Sequence, residues 1–523
     1  MDVALTARSW LGQYYVEIIA IGAALVAVLL SRSFRRGYKL PPGPPKWPVV
    51  GHLLSLSKTE PAHLSFTKFA EQYGPIILLQ LGGFRMAIVS SAELEKEILE
   101  THDHLFASRS SNIFSDVVLY GEDMIFAPLG DRFRKLRKIC VVELLNAKRL
   151  SQFEDSRKDE VLKAVTRTLE DGRGGTPVRF DLKLSEMSFN IMTRMMFTKV
   201  YYGQKMYKSD KEGQESNDFH RLMATVTSVS TFGIGDCFPF LRRFDFDGYE
   251  KQMRGLRFQF DSFLDNVIAE HRGQSADTRK ERMDFVDVLL QLQSDKNNEA
   301  HGVSDEVVKA LLIDMLIGGT DTATNTILWA IAMFMRHPDV LKKLQDELEA
   351  VVGMGRVVEE ADLESLPYFK AFCYECLRMH PGAPVTVPHT AVKDTQLGGY
   401  DIPQDTRVIV NIYAINRDPK LWPQPLEFNP DRFINSPLDH KGKHFQFRPF
   451  GTGRRMCPGM NLAMILFQLT LAQLLQTCNF SLPNGMKPED VNLEEKFSAT
   501  TQMAHPLEVI VTPRVDISHV LKA

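Results

Sequence analysis

One cysteine constrains this chain more than any other residue. Cys457 lies in Phe450-Gly451-Thr452-Gly453-Arg454-Arg455-Met456-Cys457-Pro458-Gly459, a pattern of the form F-x-x-G-x-R-x-C-x-G. A cysteine that ligates iron must be an accessible thiolate, oriented along one axis and shielded from oxidation. The glycines permit tight turns and let backbone N–H groups approach the sulfur. Pro458 and Gly459 open a helix, whose N-terminal dipole favours an anion. Arg455 is placed to meet a carboxylate, and Phe450 opens the pattern. A buried cysteine beside glycines is by itself more often structural, whereas the complete pattern is far more specific.

The other five cysteines, Cys140, Cys237, Cys373, Cys376 and Cys478, are irregularly spaced in apolar text. That is too sparse for a secreted disulfide scaffold and favours a reducing compartment. Cys373 and Cys376 form a lone CxxC with no second pair at zinc spacing, so packing is the simpler reading. Asn479-Phe480-Ser481 is a glycosylation sequon that stays silent in a domain that never enters the lumen. The formal net charge of −3 gives no basic field for nucleic acid. Neither a Walker loop nor a dinucleotide fingerprint occurs.

Tyr14–Leu30 is an apolar run interrupted only by Glu17, close to the minimum for a bilayer crossing. Arg32, Arg35, Arg36 and Lys39 follow it, which favours an uncleaved anchor with its C-terminal side in the cytosol. Pro41-Pro42-Gly43-Pro44-Pro45 then forms a stiff spacer. The expected division is an anchor with its basic stop over 1–36, a proline-rich hinge over 37–50, and one catalytic domain over 51–523. Short β-like runs at Ile76–Leu81 and Phe84–Val89 precede helical periodicity from about Ala92 to Ala350. One unusually long helix is expected over Ser304–Arg336, and another helix over Leu366–Met379. Short strands and turns, including Gln396–Ile402 and Thr406–Val410, and a last helix over about Asn461–Cys478 complete a mainly α chain with a minor β component.

The cysteine loop resembles the heme-binding loop of cytochromes P-450, and further motifs match that family in its order. Glu375 and Arg378, in YECLR, look like its E-x-x-R pair, and share one helix face. By the resemblance they lock with Arg432 of Phe428-Asn429-Pro430-Asp431-Arg432-Phe433. Gly318-Gly319-Thr320-Asp321-Thr322-Ala323 is similar to the family's oxygen-activating segment, where glycine and a back-bonding threonine open a groove. The resemblance gives Thr322 the handling of bound oxygen and Asp321 the proton relay. Ala323 departs from the family's usual Thr or Ser. Arg137, in GDRFRKLRK, and His389 stand where the family binds heme carboxylates. Phe133 replaces the family's usual tryptophan there, which removes an indole N–H. Arg134 and Lys138 are candidates for facing an acidic reductase surface.

The resemblance runs from Pro41 to Val515 and is similar to the plant microsomal group. It implies the cytochrome P-450 fold, heme b with Cys457 as axial iron ligand, and insertion of one atom of O2 into a small hydrophobic metabolite. Electrons come from NADPH through a separate NADPH-cytochrome P-450 reductase, and a single-pass anchor faces the domain to the cytosol at the endoplasmic reticulum. The tail Leu482–Pro488 is similar to phenylpropanoid and flavonoid ring hydroxylases, with terpenoid or amino-acid-derived substrates as alternatives. Substrate contacts are expected from Ser111–Tyr120, Met315–Gly318, Val385–Pro388 and Ala499–Gln502. The aromatic stretch Ser230–Tyr249, which includes Phe240, Phe244, Arg242 and Arg243, suits either a membrane contact or a packed turn. Two rivals remain: a reductase-independent heme-thiolate isomerase or dehydratase, and a non-catalytic heme carrier.

Overall fold

The computed structural model describes residues 37–515, apart from 57–58, 204–210, 229–231, 274–282 and 296–302, together with Gly22. The expected anchor, Tyr14–Leu30, lies outside the described residues except for Gly22. Among the described residues one helix, Met460–Thr477, is long and apolar enough to cross a membrane. It is hydrophobic on most faces and lies in the protein core, which is how such a helix is satisfied inside a large domain.

The architecture is mainly helical. The elements that frame the site are α1 (Asp131–Lys138), α2 (Phe180–Phe197), α3 (Tyr249–Gly273), α4 (Asp305–Gly319), α5 (Asp321–Arg336), α6 (Pro367–Met379) and α7 (Met460–Thr477). A four-stranded sheet contains β1 (Ile76–Leu81), β2 (Phe84–Val89), β3 (His389–Thr390) and β4 (Arg407–Val410), in the order β1-β2-β4-β3. The β1–β2 hairpin has the residue limits expected from its apolar text, and β4 joins β2 in parallel with Met86 opposite Arg407. The hairpin turns at Gly82, at φ +58°, where a Cβ would stand 2.6 Å from the Cys237 carbonyl oxygen. Only glycine fits that approach.

The stretch expected to be one helix over Ser304–Arg336 is two. Ser304 caps α4 by accepting the Val307 N–H, α4 ends at Gly319, and α5 begins at Asp321. Thr320 stands between them at φ −108° and ψ −70°. The expected helix runs through Gly318–Thr326, a stretch of small and hydroxyl residues between two apolar helical runs. The physical causes of the break are Gly318 and Gly319, together with hydroxyls that donate back to carbonyls one turn earlier. Thr320 Oγ1 donates to Leu316 O at 2.8 Å, Thr322 Oγ1 to Gly318 O at 2.9 Å, and Thr326 Oγ1 to Thr322 O at 2.8 Å.

The proline segment is more than a spacer, because it docks on the sheet. Pro42 O accepts the Leu78 N–H at 2.8 Å, and His52 Nε2 meets Pro44 O at 2.8 Å. A Cβ on Gly43 would stand 2.5 Å from Leu78 O.

Candidate functional site

The Cys457 loop takes its shape from its glycines and from one backbone bond. Gly451 and Gly453 both have φ +69°, and the Cys457 N–H donates to Phe450 O at 3.0 Å. A Cβ on Gly453 would stand 2.5 Å from Leu99 O, so glycine there is a packing requirement. Gly459 caps α7, and its Cβ, if it had one, would lie 3.9 Å from the Cys457 sulfur. Burial pushes the Cys457 thiol up, against the Gly459 N–H and the Arg137 charge, which both favour the thiolate. Two elements separated by 320 residues thus converge on the sulfur.

Around this loop lies a cluster of cationic side chains that the sequence reading found only in part. Arg455 donates from Nε to Ala107 O at 2.7 Å and from Nη1 to Met124 O at 3.3 Å. Its guanidinium sits 3.6 Å above the Phe133 ring, so the residue in the tryptophan's place serves as an aromatic platform. Arg109, which the sequence reading missed, donates to Ile125 O, and its Nε is buried without a partner. Burial lowers Arg109 to about 10, with Arg137 adding repulsion against the attraction of Asp123 and Asp314. Burial lowers Arg455 to about 9, with repulsion from Arg109 and Arg137. His389 Nδ1 donates to Phe106 O at 3.1 Å, and burial together with Arg109 lowers its ring to about 3. Arg109 lies in a short stretch, Phe106–Ser111, whose only signal was a lone arginine in apolar and hydroxyl text.

These residues fit heme. A thiolate-capable cysteine with a donor beside it suits an iron axial ligand. A half-buried group of three mutually repelling arginines suits two carboxylates, which would relieve the repulsion and satisfy the orphaned Arg109 Nε. The neutral His389 ring offers only a lone pair at Nε2, so it would meet a carboxylate as the imidazolium.

The interrupted helix pair carries the glycine and threonine positions of the Gly318–Ala323 motif. A Cβ on Gly318 would meet nothing within 4 Å, whereas one on Gly319 would stand 2.8 Å from Met192 of α2. The two glycines therefore differ in purpose: one borders open space and the other permits close helix packing. Asp321 is half-buried, and burial raises its carboxyl, opposed by Lys496. Thr322 donates its hydroxyl proton to Gly318 O, so its oxygen can act toward a ligand only as an acceptor, through its lone pairs.

Three of the four segments expected to contact substrate border this helix pair or its partner. Tyr120, at φ +59°, donates to Asp261 Oδ1 at 2.6 Å, an oxygen that also accepts from Lys309 of α4 at 2.7 Å. Asn325 of α5 reaches Thr500 Oγ1 at 3.4 Å, and Trp329 Nε1 donates to Thr501 O at 2.9 Å. Met315 and Ile317 lie on α4 itself.

Glu375, Arg378 and Arg432 come together as the resemblance implied. Arg378 donates to Glu375 from Nε and from Nη2, each at 2.7 Å, and Arg432 Nε reaches Glu375 Oε1 at 3.1 Å. Arg378 also donates to the carbonyls of Asn416, Pro425 and Glu427, which ties the loop before the cysteine to α6. Cys373 and Cys376 on α6 are buried, and burial holds both thiols well above their ordinary value, as packing residues require.

A second cluster, His271, Asp284 and Asp287, has metal-like spacing. The Asp284 carboxylate already accepts from the Asp287 N–H, Thr198 Oγ1 and His271 Nε2. It is a buried ion pair that caps a helix.

A family model described as Cytochrome P450 matches residues 41–507. A flavonoid 3'-monooxygenase of Petunia hybrida is 37% identical over 500 residues, covering 94% of this chain and 96% of the relative. A flavonoid 3',5'-hydroxylase of Eustoma exaltatum is 36% identical over 487 residues, covering 92% and 93%. A solved zebra fish cytochrome P450 with abiraterone superposes with a TM-score of 0.71 at 28% identity, over 87% of this chain and all of that one.

Proposed function

This chain belongs to the cytochrome P450 family and is a heme-thiolate monooxygenase; from that premise we propose that it hydroxylates a ring C–H bond of a flavonoid or related phenylpropanoid. The observation that carries the substrate class is likeness to flavonoid hydroxylases over more than nine-tenths of both chains. The four segments taken as substrate-lining are apolar with scattered hydroxyls, which suits a planar, partly hydroxylated molecule.

Heme, when bound, supplies oxygen activation and one-electron chemistry. Cys457 would hold its iron and Arg455, Arg109, Arg137 and His389 its carboxylates, while Phe450 fixes the cysteine loop through its carbonyl. Asp321 takes up and passes protons, a task helped by a carboxyl that burial holds above its ordinary range. Thr322 orients those protons toward the oxygen site. Glu375, Arg378 and Arg432 fix the loop that leads into the cysteine. Electrons come from NADPH by way of a separate cytochrome P-450 reductase, for which Arg134 and Lys138 offer positive charge on α1.

The address is the endoplasmic reticulum membrane, with residues 1–36 as anchor, 37–50 as hinge and 51–523 as one catalytic domain facing the cytosol. Support comes from exposed Phe240, Phe244 and Phe246, beside Arg242 and Arg243. This segment abuts the Gly82–Gly83 turn, and exposed Trp47 and Val49 lie by β1 through the Gly51–Leu81 bridge. Aromatics with arginines at one surface suit a bilayer interface.

The test is a substrate panel. Flavonoids should shift the ferric spin state, and product should form only with NADPH and reductase. Turnover of a hydroperoxide without reductase would favour the isomerase reading instead, and spin shifts confined to terpenoids would overturn the substrate class.

A further inference from the structure

Residues Asp123–Ala127 have no helix or strand, yet Asp123, Met124 and Ala127 are buried and Ile125 and Phe126 partly so. Their polar groups therefore need side-chain partners, and the partners sort by charge. On one side the N–H groups meet carboxyls: Met124 N donates to Asp314 Oδ2 at 2.8 Å, and Phe126 N donates to Asp123 Oδ1. On the other side the carbonyls meet guanidinium groups: Ile125 O accepts from Arg109, and Met124 O and Ala127 O accept from Arg455. Two peptide units thus stand between an arginine and an acid: Met124–Ile125 between Arg455 and Asp314, which also accepts the Ile125 N–H, and Ile125–Phe126 between Arg109 and Asp123. Asp314 lies on α4 and is 2% exposed, and Asp123 is 1% exposed.

We propose that Asp314 is a positioning residue for the arginines that hold the heme carboxylates, acting through the Asp123–Ala127 backbone. The inference rests on the reading of Arg109 and Arg455 as carboxylate binders. Asp314 itself need touch neither heme nor substrate. Burial and the neighbouring Asp123 carboxyl push Asp314 well above the usual carboxylate range. A protonated carboxyl still accepts the Met124 N–H through Oδ2, so the neutral amide of Asp314→Asn reproduces the contact that matters.

The experiment measures heme transfer from the holoenzyme to apomyoglobin at pH 7. Asp314→Ala leaves a buried N–H without an acceptor, and heme loss should be about tenfold faster or more. Asp314→Leu, which keeps the branched side-chain shape without the acceptor, serves the same purpose if the alanine variant does not accumulate. Asp314→Asn should stay within about twofold of the parent, well inside the span that one lost hydrogen bond covers. Leu312→Ala, at a fully buried position of the same helix, should lower the melting temperature without matching that heme loss. Release from Asp314→Asn as fast as from Asp314→Leu would overturn the inference, as would equal release from Asp314→Ala and Leu312→Ala at equal melting temperature. Arg109→Ala separates the two levels. If it releases heme no faster than the parent, the carboxylate-binding reading fails. If it accelerates release while the Asp314 variants do not, only the positioning inference fails.

Discussion

Glu375 and Arg378 form a bidentate pair, two contacts of 2.7 Å between side chains with no solvent exposure at all. Two buried charges are costly unless their remaining hydrogen-bonding groups are satisfied, and here Arg378 donates to three further carbonyls while Glu375 accepts from Arg432 and the Asn429 N–H. Glu375→Ala strands a guanidinium in the core. Urea titration should show a loss of about 3–5 kcal/mol. A loss under about 1 kcal/mol, as for a surface pair, would contradict the arrangement.

Asp321 predicts a trade between activity and stability. Its folded carboxyl lies above the ordinary 3.8 because of burial. A group raised in this way stabilises the fold below its unfolded value, and that contribution is lost as pH rises through the folded value. At neutral pH the charge therefore costs stability, and Asp321→Asn should melt higher than the parent. The same variant should turn over about 100-fold more slowly, the scale of a lost proton donor. A lower melting temperature would contradict the cause assigned to the shift.

Thr322→Ala should keep its heme and still consume NADPH, but divert that consumption to peroxide without product. Peroxide is read by a coupled peroxidase assay and heme by absorbance. Unchanged coupling would remove Thr322 from oxygen handling.

The residue patterns that announced this molecule are local ones. The glycine-framed Cys457 loop, the Glu375/Arg378 spacing and the β1–β2 hairpin depend on neighbours within ten or so residues, and each stands where its text placed it. What escaped depends on contacts across the chain. Arg109 is an isolated arginine until Arg455 and Asp314, more than 200 residues away, give it a purpose. At Thr320 the glycines and the back-bonding threonine already signal a weakened helix, but not that the backbone breaks into two helices there. Phe133 read as a lost indole, whereas in space it supports Arg455.

His271 and Asp284 supply a pH-dependent contribution. Burial opposes the charge on His271, but the hydrogen bond and charge of Asp284 outweigh it and raise the ring above 6.5. The His271 contribution is full below 6.5 and fades as pH rises through the folded value. Asp284 is lowered, burial being outweighed by His271, so its contribution holds above 3.8 and fades as pH falls through the folded value. His271→Gln should therefore cost more melting temperature at pH 6 than at pH 9. An equal loss at both would mean the pair is not charged.

The identity of the iron ligand is the claim on which the rest depends. The reduced protein with carbon monoxide should give the thiolate-type difference band, and Cys457→Ser should abolish it while the other five cysteines remain in place. A thiolate-type band that survives in Cys457→Ser would contradict the assignment.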